Sequence, residues 1–288
     1  MPKISVIVPC YNQAQYLDEC LESVLNQSFQ EWECIIVNDE SPDNTIEIGN
    51  AWVNKDSRFK LFTIKNGGVS NARNIGIKNS NSEFILPIDA DDKLAPLYLE
   101  KAHKELSINN YTIVYCKAEY FGEKEGEMPV SFKSLESLLL RNEIFVTALF
   151  RKKDFNNTNG FDVKMDKGLE DWEFWINLLS TNKGEVFQMD YVGFYYRIKE
   201  SSRNQVIKSD VNLNHNMKNY IYLKHNDLYR KYYGYPIENI KRLKAYQDFN
   251  NLSSFYSFND LIKIIKIKIK KKMINTKKQL VIKTNFHL

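Results

Sequence analysis

Glycine is sparse in this chain, 11 of 288 residues, and it is missing from the place where a dinucleotide-binding fold needs it. The first apolar run ends in Pro9-Cys10-Tyr11-Asn12-Gln13, without the GxGxxG glycines that bring a pyrophosphate onto a helix N-terminus. No GxxxxGK[ST] loop occurs anywhere. These absences weigh against a Rossmann oxidoreductase and a P-loop nucleotide hydrolase. Cysteine is equally scarce: Cys10, Cys20, Cys34 and Cys116 form no CxxC pair and sit among apolar neighbours. That argues against a zinc site and for buried thiols in a reducing compartment. No stretch approaches the ~18 apolar residues of a membrane span, and the opening Ile4-Ser5-Val6-Ile7-Val8 is too short and too β-branched for a signal peptide. A cytoplasmic protein is the expectation. Acid is lacking over residues 261–288, where nine Lys stand without one Asp or Glu. Positions 1–260 therefore hold 31 basic against 36 acidic residues, a net charge of −5 under a whole-chain value of +4.

What remains is the composition of a folded chain with a substantial core, 43% apolar and 26% charged. Strand and helix patterns alternate over the first 120 residues. Ile4 to Pro9 reads as a buried strand, and Tyr16 to Asn26 follows with Leu17, Cys20, Leu21, Val24 and Leu25 at helical spacing. Further strands are expected at Glu33 to Asn38, Phe59 to Ile64 and Glu83 to Asp89. Helices are expected from Ser41-Pro42-Asp43, with Ser41 as cap, and from Ser70 to Asn79 after Gly67-Gly68. Such alternation predicts a mostly parallel sheet covered by helices. Beyond residue 120 the pattern loosens: helices at Leu135 to Arg141 and Asp171 to Leu179, strands at Val146 to Arg151 and Tyr191 to Arg197, and helix from about 206. No repeat and no Pro/Gly/Ser linker divides the chain, so one α/β domain is assigned to 1–205 and a helical, Lys-rich extension to 206–288.

The most telling run is Phe84-Ile85-Leu86-Pro87-Ile88-Asp89-Ala90-Asp91-Asp92, an apolar strand that ends in three carboxylates. Open parallel sheets bind ligands outside the carboxyl ends of their strands, and alternate Asp side chains there offer hard oxygens to a hydrated divalent ion. The plainer alternative is that Asp92 caps the next helix, near Ala95-Pro96, while Asp89 and Asp91 are solvated loop acids. The second strand ends in Val37-Asn38-Asp39-Glu40-Ser41, where a carboxylate can accept the ring N–H of a pyrimidine or cap a helix. Arg73, at the start of the helix after Gly67-Gly68, reaches either a ribose or phosphate or a structural carboxylate.

Together these segments resemble the family 2 inverting glycosyltransferases of the GT-A fold. The matching motifs are Ser5-Val6-Ile7-Val8-Pro9-Cys10-Tyr11-Asn12, Val37-Asn38-Asp39-Glu40-Ser41, Gly68-Val69-Ser70-Asn71-Ala72-Arg73-Asn74 and Asp89-Ala90-Asp91-Asp92. A fifth, Gly168-Leu169-Glu170-Asp171-Trp172, is similar to the family's acceptor-side motif, and the likeness covers about residues 3–203. The resemblance implies that Pro9, Tyr11 and Asn12 line a nucleotide pocket, that Asp39 contacts uracil, and that Arg73 lies near the nucleoside. It further implies that Asp89 approaches the ribose or the metal's water shell, that Asp91 binds Mn²⁺ or Mg²⁺, and that Asp92 orients the donor sugar or a metal-bound water. Asp171 becomes the general base, with Glu170 and Trp172 on the acceptor side. Arg197 and Lys199 are counter-charges for the diphosphate, Lys199 standing where many relatives carry a His.

The expected activity is transfer of a hexose or N-acetylhexosamine from a UDP-sugar to a hydroxyl of a saccharide, lipid-linked at the inner face of a membrane in O-antigen, capsule or lipooligosaccharide synthesis. The alternatives are a nucleotidyltransferase, which lacks its glycine-rich activating loop here, and a non-catalytic saccharide- or nucleotide-binding module. Residues 260–272 mix Ile with Lys: as a helix they line up Leu261, Ile262, Ile265 and Ile269 for an anionic membrane surface, while the alternation at 265–270 also suits a strand. Without aromatic interleaving, and beside an acidic body, this segment does not point to nucleic acid.

Overall fold

The computed structural model describes residues 1–200 and 209–253. The chain divides into two compact units, Met1–Asn226 and Asp227–Leu288. In the first, β1 (Ile4–Cys10), α1 (Ala14–Leu25), β2 (Trp32–Asn38), α2 (Thr45–Lys55), β3 (Phe59–Thr63), α3 (Gly68–Lys78) and β4 (Phe84–Pro87) alternate as the apolar periodicity predicts. The short β5 (Lys93–Leu94) and α4 (Tyr98–Ile108) follow. The remainder is β6 (Tyr111–Gly122), β7 (Gly126–Met128), α5 (Leu135–Leu138), β8 (Leu149–Arg151), α6 (Lys152–Asn156), α7 (Glu170–Asn182), β9 (Glu185–Ile198) and α8 (Val211–Lys224).

One sheet runs through the unit in the order β3-β2-β1-β4-β8-β6-β9-β5, with β7 paired to β6. Its first four strands are parallel, which puts the carboxyl ends of β2, β1 and β4 side by side. β8 then runs antiparallel to both β4 and β6, and β6 pairs in parallel with β9. Every residue of β1 and β2 is buried, as befits central strands covered on both faces. Against them α1 lays Ala14, Leu17, Cys20, Leu21 and Val24, one stripe at 3.6-residue spacing. Helix α3 comes closer still: a Cβ at Gly76 would stand 2.5 Å from the Ile7 side chain, so only glycine permits the approach. A second core, largely aromatic, gathers around α7, where Phe174 stacks on Phe161 at 4.0 Å and packs with Phe150 and Trp175.

Several expected boundaries move: β8 starts at Leu149 rather than Val146, and β9 at Glu185 rather than Tyr191. α2 starts at Thr45 rather than near Ser41, because Asp43 accepts the N–H and hydroxyl of Thr45 while the Ser41 hydroxyl accepts the N–H of Asn12. The helix expected over Leu135 to Arg141 ends at Leu138, closed at its start by a reciprocal Ser134–Ser137 capping box. All four cysteines are buried and unpaired, and burial raises each thiol pKa.

The described part of the second unit is helical, α9 (Asn226–Tyr233) and α10 (Pro236–Ser253). Along α10, Ile237, Ile240 and Leu243 are exposed. Among the described residues no helix is long and apolar enough to cross a membrane. The Lys-rich segment 261–288 lies outside the described residues.

Candidate active site

Because β2, β1 and β4 are parallel neighbours, the turns that follow them share one edge, and a cleft of about 710 Å³ opens there. Pro9, Tyr11, Asp39, Asp89, Asp91 and Arg197, six of the residues expected at the site, line it. The backbone is strained at this edge and at the acceptor-side motif, since Asn12, Glu40 and Leu169 all take left-handed conformations with φ of 54°, 57° and 62°. Such conformations cost on the order of 1 kcal/mol or more each and cluster where function demands a particular chain path.

Asp39 is buried, and its two carboxylate oxygens accept the N–H groups of Gly67 and Gly68, each at 2.9 Å. The pair of glycines thus ties the end of β2 to the start of α3. Gly68 has φ +82°, and a Cβ at Gly67 would meet the Asn71 side chain at 2.5 Å. Asn12 stands exposed just outside the cleft lining, its N–H on the Ser41 hydroxyl.

The three acids after β4 have three different surroundings. Asp89 faces the cleft and is bound by Arg73 at 2.6 Å. Asp91 faces it too, with Lys199 Nζ 2.5 Å from its Oδ2. Asp92 points inward: its Oδ1 accepts the Arg197 N–H at 2.8 Å and its Oδ2 has no hydrogen-bond partner. Burial, then the nearby Asp91 and Asp89, push the Asp92 carboxyl well above the usual range. Where Asp92 was expected to orient the donor sugar or a metal-bound water, its carboxyl accepts the Arg197 N–H and anchors the end of β9.

Arg73, expected near the nucleoside, is 1% exposed and stands behind the cleft-lining Asp89. The guanidinium bridges Asp89 and, at 2.8 Å, the buried Glu170. The structural carboxylate pairing anticipated as its other role is the one the fold adopts, and its bond to Glu170 spans 97 residues of sequence. Glu170, buried in that pair, presents no carboxylate to an acceptor. Trp172 is also interior, 4% exposed, with its indole N–H donating to the Leu138 carbonyl at 2.6 Å, so its ring faces the core rather than a sugar.

Between these two residues Asp171 keeps partial exposure. Its Oδ2 accepts from Asn142 Nδ2 at 2.9 Å and its Oδ1 from the Trp172 N–H at 2.7 Å. Burial, and then the charge of Glu170, raise its pKa to about 6, against the opposing pull of Arg73. A carboxylate so poised is suited to taking a proton near neutral pH.

Arg197 lines the cleft with its guanidinium over Phe121 at 4.3 Å and Tyr16 at 4.6 Å, its Nε on the Asp91 carbonyl and its Nη2 on Glu19. Four contributors escaped the sequence reading. Asn142, the orienter of Asp171, carries no local signal. Gln13, 3.0 Å from Lys199 Nζ, is simply the residue before α1. Lys164 and Lys167, on the far wall of the cleft, lie four to seven residues before Asp171, and their alternation with Asp162 and Asp166 was the available hint.

Among the described residues no three His, Cys, Asp or Glu side chains converge as a metal cage. A Mg²⁺- or Mn²⁺-diphosphate needs none, since such ions are held by one or two carboxylates together with phosphate oxygens. The Asp91 carboxylate in the cleft fits that requirement.

Residues 5–163 match the family model described as "Glycosyl transferase family 2". The chain is similar to an uncharacterized glycosyltransferase of Haemophilus influenzae, 32% identical over 70% of this chain and 82% of that one. It also resembles the uncharacterized glycosyltransferase EpsJ of Bacillus subtilis, 36% identical over 40% of this chain but spanning only 34% of EpsJ. Chondroitin synthase of Pasteurella multocida aligns at 26% identity over 93% of this chain and 28% of its own length. Among solved structures, S. aureus TarS in complex with UDP superposes with a TM-score of 0.60 at 23% identity, over 80% of this chain and 72% of that chain, a likeness of fold.

Proposed function

From a chain that belongs to glycosyl transferase family 2 and has the GT-A fold, we infer an inverting, metal-assisted transfer of a hexose or N-acetylhexosamine from a UDP-sugar to a saccharide hydroxyl. The observation that supports this reading best is the buried Arg73, whose ion pairs with Asp89 and Glu170 tie the acidic turn after β4 to the residue next to Asp171. The UDP complex of TarS supports the choice of nucleotide, and the likeness to chondroitin synthase supports a saccharide acceptor. A lipid-linked acceptor in O-antigen, capsule or lipooligosaccharide assembly, met at a membrane surface, completes the proposal.

Pro9 and Tyr11 flank the base, and Asp39, already fixed by two backbone N–H groups, accepts the uracil ring N–H. Asp91 would hold Mg²⁺ or Mn²⁺, which supplies neutralisation of the charge that develops on the departing diphosphate. Arg197 holds the acidic turn in place through the Asp91 carbonyl. Asp171, kept in orientation by Asn142, removes the proton from the acceptor hydroxyl as that oxygen attacks the anomeric carbon. The new C–O bond forms as the bond to the diphosphate oxygen breaks, UDP leaves with the bonding pair, and one displacement inverts the centre.

Titration of UDP with and without Mn²⁺ tests the donor side. UDP binding that Mn²⁺ strengthens through Asp91 is expected, and loss of the Mn²⁺ effect in Asp91→Ala checks it. Asp171→Asn should keep UDP binding and lose about 10²–10⁴-fold in turnover, the usual contribution of a positioned acid or base. Transfer undiminished in Asp171→Asn would overturn the assignment of the base. Proton NMR of the first-formed product should show a β-linkage from an α-linked donor.

A further inference from the structure

Lys199 stands one residue beyond the end of β9, and its position is determined by two anchors just before it. The Arg197 N–H is held by Asp92 Oδ1, and Arg197 Nε by the Asp91 carbonyl. From there the ammonium reaches across the cleft, 2.5 Å from Asp91 Oδ2 and 3.0 Å from Gln13 Oε1. The side chains of the pair are only 17% and 19% exposed, so solvent screens it less than a surface pair. Of the three acids after β4, Asp89 is neutralised by a buried guanidinium and Asp92 is turned inward. Asp91 alone has its charge balanced by a flexible four-carbon stem that can move away.

We propose that Lys199 is an exchangeable counter-ion for Asp91: it occupies the carboxylate until a metal–nucleotide complex displaces it, and its ammonium then turns to the diphosphate. The inference rests on the donor-site reading above and deepens it. Two cations compete for one oxygen. A divalent ion on its own must therefore expel Lys199 with no compensating anion, whereas an ion arriving with UDP brings the diphosphate that receives the released ammonium. Free metal is bound weakly, metal and nucleotide favour each other, and the coupling is reciprocal.

The test is calorimetry on the full-length protein with MnCl₂ alone, with UDP alone and with both, for wild type, Lys199→Gln and Lys199→Arg. Wild type should bind Mn²⁺ at least about tenfold more tightly when UDP is present. Lys199→Gln should bind free Mn²⁺ about tenfold more tightly than wild type and bind UDP less tightly without metal, so that the coupling shrinks. Lys199→Arg, which keeps the charge, should keep weak binding of free Mn²⁺. Unchanged or weakened Mn²⁺ binding in Lys199→Gln, with UDP binding intact in wild type, would overturn the counter-ion role and leave the donor site standing. Failure of wild type to bind UDP under any condition would instead overturn the donor-site reading itself.

Discussion

Asp171 and Glu170 are adjacent carboxylates with opposite fates, and the difference lies in what each touches. Glu170 gives an oxygen to Arg73 in the interior, while Asp171 has only neutral donors, Asn142 and the Trp172 N–H. Burial first and the Glu170 charge second hold the Asp171 pKa up at about 6, so a base at this position is active when deprotonated and its rate falls as pH drops through about 6. Removing the neighbouring charge should lower that limb. In Glu170→Gln the acidic limb of the turnover profile is expected to move down by on the order of one unit, the size of a close charge effect. It should stay above the ordinary carboxylate range, because burial, the larger cause, persists. A limb that stays put or rises would show that Glu170 does not tune the base. The same raised pKa makes the ionised Asp171 a cost to folding above that pH, because the unfolded carboxyl ionises more easily. Asp171→Asn is accordingly expected to raise the melting temperature at pH 7.5 while slowing transfer by the factor given above.

Helix α8 shows how one element fixes two others. Lys224, at its C-terminus, bonds Asp162 at 2.6 Å and Glu173 at 2.9 Å, and His225 bonds Glu173 at 2.8 Å. Glu173 lies fully buried two residues beyond the proposed base, and Asp162 opens the loop whose Lys164 and Lys167 line the cleft. Lys224→Ala leaves Glu173 with His225 but strips Asp162 of its cation. The loss should be about 2 kcal/mol, below the 3–5 kcal/mol of a wholly orphaned buried charge. For a unit of this size that is a fall in melting temperature of roughly 4–8 °C by differential scanning calorimetry. A change under one degree would show that α8 is not held by this network. None of this was legible beforehand. The parallel half was, because buried central strands and an amphipathic α1 write their periods into the sequence. The edge motifs were legible as well, since Asp39 and Asp91 sit where strands end. The burial of Arg73, Glu170 and Trp172 was not legible, because a residue's motif position does not state whether its side chain turns outward or into the core. A buried Arg linking two acids is settled by contacts 97 residues apart.

Charge is distributed unevenly over the whole molecule. Positions 1–260 carry −5 and would be repelled by an anionic bilayer, whereas the nine Lys of 261–288 would be attracted to it. Each Lys near such a surface contributes about 1 kcal/mol at most, an attraction that fades within a Debye length of about 8 Å at physiological salt. Nine such residues can together outweigh a net charge of −5. In the second unit, Ile237, Ile240 and Leu243 are exposed and interleaved with Lys241, Arg242 and Lys244, without a separate apolar face. Full-length protein should therefore co-sediment with phosphatidylserine-containing vesicles and not with phosphatidylcholine vesicles, and 0.5 M salt should release most of it. Deleting 261–288 should abolish sedimentation while leaving UDP binding intact, since the donor cleft is built from residues 9–199. Equal sedimentation with and without the tail would remove it as the anchor. If Ile240→Asp with Leu243→Asp then released the protein, α10 would be the attachment. An enzyme held this way meets a lipid-linked acceptor in two dimensions, so vesicles carrying such an acceptor should lower the apparent KM of the full chain and not of the truncated one.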